Sequence, residues 1–421
     1  MVHERHRVQI GVGNVQVRGR RLRPVVGLSA SVVVGSLLIA GCTPTGSAST
    51  ATQLSRPSQA VPSSTPDSTP PELLASVASG AAAVAPGEPI TVAAVHGAIN
   101  EVKLVDAAGT PVAGTMDVSA TKWTSSSRLD YGKTYTLVAS AIGSDAAHLP
   151  VNATTTFTTA KPRTLTMPYL SVNNGDVVGI GEPIAVKFDE EIADKAAAVK
   201  AIFVTTTPKV EGAFYWFNNK EVRWRPENFW APGTKVTVDV NTYGHNLGNG
   251  TYGEDDVHAA FGIGDKVVST VDDSTKIVSV AVNDVVVKTM PTSMGKNSTP
   301  TEHGVFTIGE KHASMIMDST TFGLPSTAPG GYKVTVKWAT RMSFGGVFVH
   351  SAPWSLSDQG VRNVSHGCLN VSPANAEWFY NLAKPGDLVI VTGTKGPLLG
   401  GTEGLGDWNI PWSTWKAGGA V

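Results

Sequence analysis

Short runs of β-branched and aromatic residues, broken every few positions by Gly, Pro or Asn, dominate the chain from Ala85 onward. Pro89-Ile90-Thr91-Val92, Val102-Lys103-Leu104-Val105, Thr134-Tyr135-Thr136-Leu137-Val138 and Thr154-Thr155-Thr156-Phe157 have the length of strands, and their spacing predicts a β-sandwich over residues 73–161. A second block, residues 162–265, repeats the pattern. Its Val177-Val178-Gly179-Ile180-Gly181-Glu182-Pro183-Ile184 echoes Val84-Ala85-Pro86-Gly87-Glu88-Pro89-Ile90, as divergent tandem copies do. Within it, Phe214-Tyr215-Trp216-Phe217, Val222-Arg223-Trp224-Arg225 and Lys235-Val236-Thr237-Val238-Asp239 alternate at period two, which predicts half-buried strands. Residues 266–394 form a third unit. Strands at 276–282 and 284–288 meet at Asn283-Asp284 in the manner of a hairpin, and Gly386-Asp387-Leu388-Val389-Ile390-Val391-Thr392 supplies a closing strand. Gly345-Gly346-Val347-Phe348-Val349-His350-Ser351 reads as a strand that carries His350 to its end, and a helix starts after Ser372, with Ser372 as N-cap and Pro373 in its first position. The expected fold is mainly β: two tandem β-sandwiches, a mainly-β third domain with short helices, and a C-terminal cap over residues 395–421.

The N-terminus follows another logic. Arg18, Arg20, Arg21 and Arg23 precede an apolar run from Val25 to Ala40, an export signal in outline and short for a spanning helix. Its end, Leu38-Ile39-Ala40-Gly41-Cys42, resembles the lipobox of bacterial lipoproteins. That resemblance implies removal of residues 1–41 and lipidation of Cys42; an uncleaved signal anchor is the alternative. Either places the rest of the chain outside the cytoplasm and tethered to a membrane. Residues 42–72, rich in Ser, Thr, Pro and Ala, bury too little to offset their ordering entropy and read as a tether. Composition narrows the function further. Across 421 residues Lys plus Arg (33) balances Asp plus Glu (34), for a net charge of -1, so the bulk basic surface of a nucleic-acid binder is absent.

Two cysteines, Cys42 and Cys368, exclude a disulfide scaffold. An exported thiol with no partner is exposed to oxidation, and nucleophilic catalysis supplies a reason for Cys368 to be kept. It lies in Ser365-His366-Gly367-Cys368-Leu369-Asn370, downstream of His350. An imidazole takes the thiol's proton or stabilises the thiolate, and His350, held at a strand end, is a better base candidate than His366, which shares the cysteine's turn. Gly367 allows the tight turn that brings N–H groups toward a developing oxyanion. Other readings of these residue types stay open: a buried structural cysteine, or a zinc site from His350, His366 and Cys368 that lacks a fourth ligand. Ser293-Met294-Gly295-Lys296 matches the Ser-x-x-Lys of penicillin-binding serine enzymes but has no Lys-Thr-Gly partner, and Asp189, Glu190 and Glu191 read as a solvated run.

His350 with Ser365-His366-Gly367-Cys368-Leu369-Asn370, preceded by Met290-Pro291-Thr292-Ser293-Met294-Gly295-Lys296 and Thr299-Pro300-Thr301-Glu302-His303-Gly304-Val305-Phe306, resembles the YkuD-type L,D-transpeptidase family. The tandem blocks, read as Ig-like, and the lipobox make the likeness strongest to its mycobacterial members. The resemblance places Ser293-Met294-Gly295-Lys296 in the family's Pro-x-Ser-x-Gly-Lys stretch. It implies that Cys368 attacks the third residue of a peptidoglycan tetrapeptide stem, expels D-Ala and forms a thioester. His350 would be the base, oriented by the backbone carbonyl of Ser351. Backbone groups of His366, Gly367 and Cys368 would form the oxyanion hole beside the Tyr332 hydroxyl, and Gly345, Gly346 and Asn370 would line the donor groove. A diaminopimelate amine on a second stem would resolve the thioester into a 3→3 cross-link, without a cofactor, and carbapenems would acylate the same cysteine. Such relatives bind calcium in the second Ig-like block through acidic side chains; Asn246 and Asn249 stand in the matching stretch here, which argues against a metal there. Residues 320–332 match the family's lid. Two rival functions remain: an L,D-carboxypeptidase of the same fold, and a non-catalytic wall-binding lipoprotein. Trp408, Trp412 and Trp415 are expected to pack on the catalytic domain, with glycan binding as the other use.

Overall fold

A computed structural model describes residues 69–143 and 150–419. The export signal, Cys42 and the tether through residue 68 lie outside the described residues.

The first sandwich faces a four-stranded sheet, ordered Glu72–Ala75, Thr91–Val95, Lys122–Ser125, Gly114–Met116, against a three-stranded one, ordered Gly97–Asp106, Thr134–Gly143, Val151–Thr158. Alternate residues of Thr134–Gly143 point inward, so Tyr135, Leu137 and Ala139 join Val92, Leu104, Trp123 and Phe157 in one core. The second sandwich orders Val177–Val178, Val257–Ile263, Lys235–Val240, Ile202–Thr207 in one sheet and Gly212–Asn218, Glu221–Pro226, Ile184–Phe188, Pro168–Leu170 in the other. Ile184, Val186, Val222, Trp224, Val236 and Val238 fill the space between them.

The third domain packs a five-stranded sheet, ordered Val285–Pro291, Ile277–Val282, Val267–Asp272, Leu388–Thr392, Gly304–Thr307, against a four-stranded one, ordered Lys311–Asp318, Lys333–Arg341, Phe348–Ser351, Leu369–Val371. The turn between the first two strands is Asn283-Asp284, with φ of 50° and 67°, the left-handed pair that matches strand twist in a two-residue hairpin. Helix Pro373–Leu382 begins as expected, with the Ser372 Oγ accepting from Asn375 N, and it drives Ala376 and Phe379 into a core with Val280, Met290, Phe306, Leu369 and Val389. Mainly β architecture with a few short helices is the result.

Two junctions join the second sandwich to the third domain. Gly179 N donates to Pro385 O at 2.7 Å and Gly181 N to Gly386 O at 2.8 Å. A Cβ on Gly179 would lie 2.1 Å from Asp387 N, so only glycine lets these two backbones approach. Beside them Leu388 inserts into the core of the second sandwich.

The second junction is the C-terminal segment, and here two expectations fail. Strand Glu221–Pro226 is not half-buried: Arg223 and Arg225 are 5% and 2% exposed, because the C-terminal segment covers its outer face. The tryptophans of that segment dock on the second sandwich rather than on the catalytic domain. Trp415 is fully buried, stacks on Tyr215 at 5.0 Å and donates Nε1 to Ala213 O, and Trp408 Nε1 donates to Gly181 O. The Arg225 guanidinium sits among Trp408, Trp412 and Trp415 at 4.5, 5.4 and 4.4 Å from their ring centroids. Burial lowers its pKa to about 10, which leaves it charged at neutral pH, and desolvated cation–π contacts of this kind are worth about 2 kcal/mol. Arg223 pairs with Asp407 at 2.8 Å. The same segment also bonds the third domain, through Asn409 to both backbone groups of Val305 and through Leu405 O to Thr307. It is a clasp between two domains.

Trp415→Ala should therefore cost about 3–5 kcal/mol in urea unfolding, the range for emptying a large aromatic site; a loss below 1 kcal/mol would show that the clasp contributes little.

Candidate active site

The site is set by strand register. Lys333–Arg341 pairs antiparallel with Phe348–Ser351, through Thr340↔Val349 and Arg341↔Phe348. On its other edge Phe348–Ser351 pairs in parallel with Leu369–Val371, through Val349↔Leu369, His350↔Asn370 and Ser351↔Val371. Paired residues share a face and side chains alternate, so His350, Asn370 and, two residues earlier, Cys368 face the same way. They line one pocket of about 320 Å3 with Met317, Tyr332, Val334, Trp354, Val364, Ser365 and His366. Ser293 holds this edge in place, exchanging both backbone bonds with Asn370 at 3.0 and 2.9 Å, while Asn370 Nδ2 donates to Ser355 Oγ.

The two histidines differ in what their nitrogens do. His350 Nδ1 lies 3.0 Å from Ser351 O. A carbonyl only accepts, so Nδ1 carries the proton and Nε2 is left with a lone pair. Burial lowers the His350 pKa, partly opposed by that bond, so the ring is a neutral base at neutral pH. His366 Nε2 lies 2.9 Å from Lys296 Nζ, and an ammonium only donates. Its lone pair is used, and burial together with the Lys296 charge lowers its pKa as well. His350 is therefore the ring free to take a proton.

Cys368 packs beside the small cluster of Met317, Val336, Ala339 and Phe348. Its Sγ lies 3.5 Å from Gly346 O. Part of the residue remains exposed, yet crowding of the sulfur pushes its pKa up to about 11, against the opposing effects of the Phe348 N–H and the Arg341 charge. Burial thus favours the neutral thiol beside a neutral imidazole at rest. Gly367 has φ of 128° and donates its N–H to Ser365 Oγ at 3.1 Å, while Ser365 Oγ donates to Cys368 O at 2.7 Å. Thr301 Oγ1 donates to Gly367 O. The cysteine turn is thus clamped from within and from the Thr299–Thr301 stretch.

One wall is a lid. The turn Ser319–Phe322 is capped by Asp318, and Ser319 and Tyr332 close its base with Ser319 N to Tyr332 O at 2.9 Å and Tyr332 N to Ser319 Oγ at 2.9 Å. The Tyr332 ring lies 5.0 Å from the His366 ring.

Of the residues singled out in the sequence, Tyr332, His350, His366, Cys368 and Asn370 surround one pocket. Ser351 acts through its carbonyl and Gly346 meets the sulfur through its own, while Gly345 is exposed and does not line the pocket. Ser293 is fully buried and donates to Arg362 O, which ends the serine-enzyme reading of Ser293-Met294-Gly295-Lys296. Among the described residues no group of three His, Cys, Asp or Glu side chains is placed to hold a metal. Met317, Val334, Trp354 and Val364 also line the pocket and stand outside every motif singled out in the sequence; Trp354, just after the histidine strand, is the one with a local signal.

Comparison with known proteins fits this geometry. Residues 266–391 match the family described as L,D-transpeptidase catalytic domain (YkuD), and residues 81–246 match the bacterial Ig domain family. L,D-transpeptidase 2 of Mycobacterium tuberculosis (strain CDC 1551 / Oshkosh) is 54% identical over 350 residues, which cover 83% of this chain and 85% of the relative. The chain belongs to the YkuD L,D-transpeptidase family. L,D-transpeptidase 5 of M. tuberculosis (strain ATCC 25618 / H37Rv) is 35% identical over 83% of this chain and 77% of its own length. A solved structure of the LD transpeptidase LdtMt1 in complex with imipenem aligns at 35% identity with TM-score 0.48, over 55% of this chain and all of that one. Membership makes the chain an acyltransferase-family enzyme with an Ig-like region ahead of its catalytic domain.

Because burial lowers the His350 pKa below 6.5, the ring stays deprotonated at a more acidic pH than a free imidazole. The acidic limb of the kcat/KM profile should fall below pH 6.5; a limb at or above 6.5 would count against His350 as the base.

Proposed function

We propose that the chain is a peptidoglycan L,D-transpeptidase that works through a Cys368 thioester. The observation that carries this reading is the placement of Cys368 and a Ser351-anchored, neutral His350 on one face of one pocket. In the first half-reaction His350 Nε2 takes the Sγ proton as the sulfur attacks the carbonyl of the third residue of a tetrapeptide stem. The proton passes to the departing D-Ala amine, the C–N bond breaks, and a thioester remains. With the neutral thiol favoured at rest, deprotonation accompanies attack. In the second half-reaction the side-chain amine of a diaminopimelate on another stem attacks the thioester, gives its proton through His350 to the sulfur, and leaves a 3→3 cross-link and free thiol.

Backbone N–H groups around His366, Gly367 and Cys368 are the candidates for the oxyanion hole, with the Tyr332 hydroxyl on the lid. The Gly367 N–H is bonded to Ser365 Oγ here, so its use requires that bond to be exchanged. Asn370 shapes the donor side of the groove. Carbapenems, strained acyl donors of similar size, would acylate the same sulfur. The N-terminal signal and Cys42 would anchor the enzyme by lipid on the outer face of the cell membrane, with the tether and the Ig-like domains holding the catalytic pocket toward the wall.

The full chain incubated with a diaminopimelate-containing disaccharide tetrapeptide should form dimers lacking one D-Ala, resolved by mass spectrometry, and Cys368→Ala should form none. Tripeptide without dimer would move the assignment to L,D-carboxypeptidase, and unchanged substrate with folded protein would favour a wall-binding role. His350→Ala should lower kcat/KM about 10²- to 10⁴-fold, the usual weight of general-base catalysis. A carbapenem should add its mass to the peptide that carries Cys368 and to no other.

A further inference from the structure

On the same sheet as the nucleophile, beyond the strand that carries His350, lies a charged residue that the proposed mechanism does not use. Arg341 ends the strand Lys333–Arg341 and stands directly across from Phe348 in the register. Its guanidinium stacks on the Phe348 ring, 4.5 Å from the centroid, and donates through Nε to Glu310 and through Nη1 to Ser343 O at 3.1 Å. Only 19% of the side chain is exposed, so solvent screens it weakly.

These contacts lead to the sulfur along the backbone. Ser343 O, which Arg341 holds, also accepts from Gly346 N at 3.2 Å and so closes the Ser343–Gly346 turn. Gly346 O is the group 3.5 Å from Cys368 Sγ. The Phe348 ring under the guanidinium belongs to the cluster against which Cys368 packs.

We propose that Arg341 is a positioning residue for Cys368, holding the turn that meets the thiol and supplying the positive charge that favours the thiolate over the thiol. The inference rests on Cys368 being the nucleophile, as proposed above. The Arg341 charge is also among the few influences that lower the Cys368 pKa against burial.

Other charged groups around the sulfur do not replace it. His350 and His366 are neutral, and the Lys296 ammonium is turned to His366. From the lid, Tyr332 carries a raised pKa and stays a phenol, and Asp318 pairs with Lys333 at 3.1 Å. Glu310 partly neutralises Arg341, with His312 Nε2 3.8 Å from it, and Glu403 is bonded to Phe344 N on the outer side of the turn.

The pairing with Glu310 makes the test one of sign. In the full chain, the rate of iodoacetamide alkylation of Cys368, read on its own peptide by mass spectrometry so that Cys42 does not contribute, is followed against pH. Arg341→Gln removes the cation and should move the midpoint up by about half a pH unit, while Glu310→Gln leaves the cation uncompensated and should move it down. Arg341→Lys, which keeps the charge and loses the planar fork, should keep the midpoint within about a quarter unit of the parent. A purely structural role would shift both neutralising variants the same way, since both loosen the turn. Shifts of one sign, or no shift, overturn the proposal, and if Arg341→Gln does not fold, the Glu310→Gln downshift alone decides. Dimer formation that survives Cys368→Ala would instead overturn the nucleophile assignment, whatever the alkylation profiles show.

Discussion

The parallel pairing of Phe348–Ser351 with Leu369–Val371 is the constraint on which the site depends. A parallel pair leaves no freedom in which residues share a face, and a slip of one position would turn either Cys368 or His350 to the opposite side of the sheet. Several bonds hold the register: Ser293 with Asn370, Thr292 Oγ1 to Asn370 O, and Asn370 Nδ2 to Ser355 Oγ. The Ser-x-x-Lys stretch is therefore a brace for the pocket's walls. Its serine fixes the strand that follows the cysteine, and its lysine occupies the lone pair of His366.

The electrostatics of the pocket favour a neutral resting state. Burial disfavours both a charged His350 and a charged Cys368, and the single bond from Nδ1 to a carbonyl orients the ring without charging it. A thiol kept protonated is less open to oxidation than a thiolate.

The domains are bound less by broad apolar contact than by a few close-range devices. Glycine at 179 and 181 lets two backbones exchange hydrogen bonds, Leu388 crosses into the neighbouring core, and the C-terminal clasp buries two arginines against tryptophan faces and Asp407. Arg223 and Arg225 show how tertiary structure overrides a local pattern. Period-two alternation places them on an outer face, and along the strand nothing signals that a segment nearly two hundred residues later will cover it.

Much of the protein was written in local residue order. Strand runs, the Asn283-Asp284 turn and the Ser372-Pro373 helix start are short-range steric and hydrogen-bonding preferences, so the sequence alone determined the mainly β class and the hairpin. A thiol near two histidines and a glycine turn was equally legible, because its parts lie within a short stretch, and the family likeness rested on the same residues. Only the tertiary structure decided that His350 rather than His366 keeps a free lone pair, that Lys296 reaches across to His366, that Arg341 stacks on the Phe348 ring of the cluster that Cys368 joins, and that the terminal tryptophans close on the second sandwich. Each of those is a contact between residues far apart in the chain, whose existence depends on how sheets pack and which faces are covered, and no local pattern encodes that.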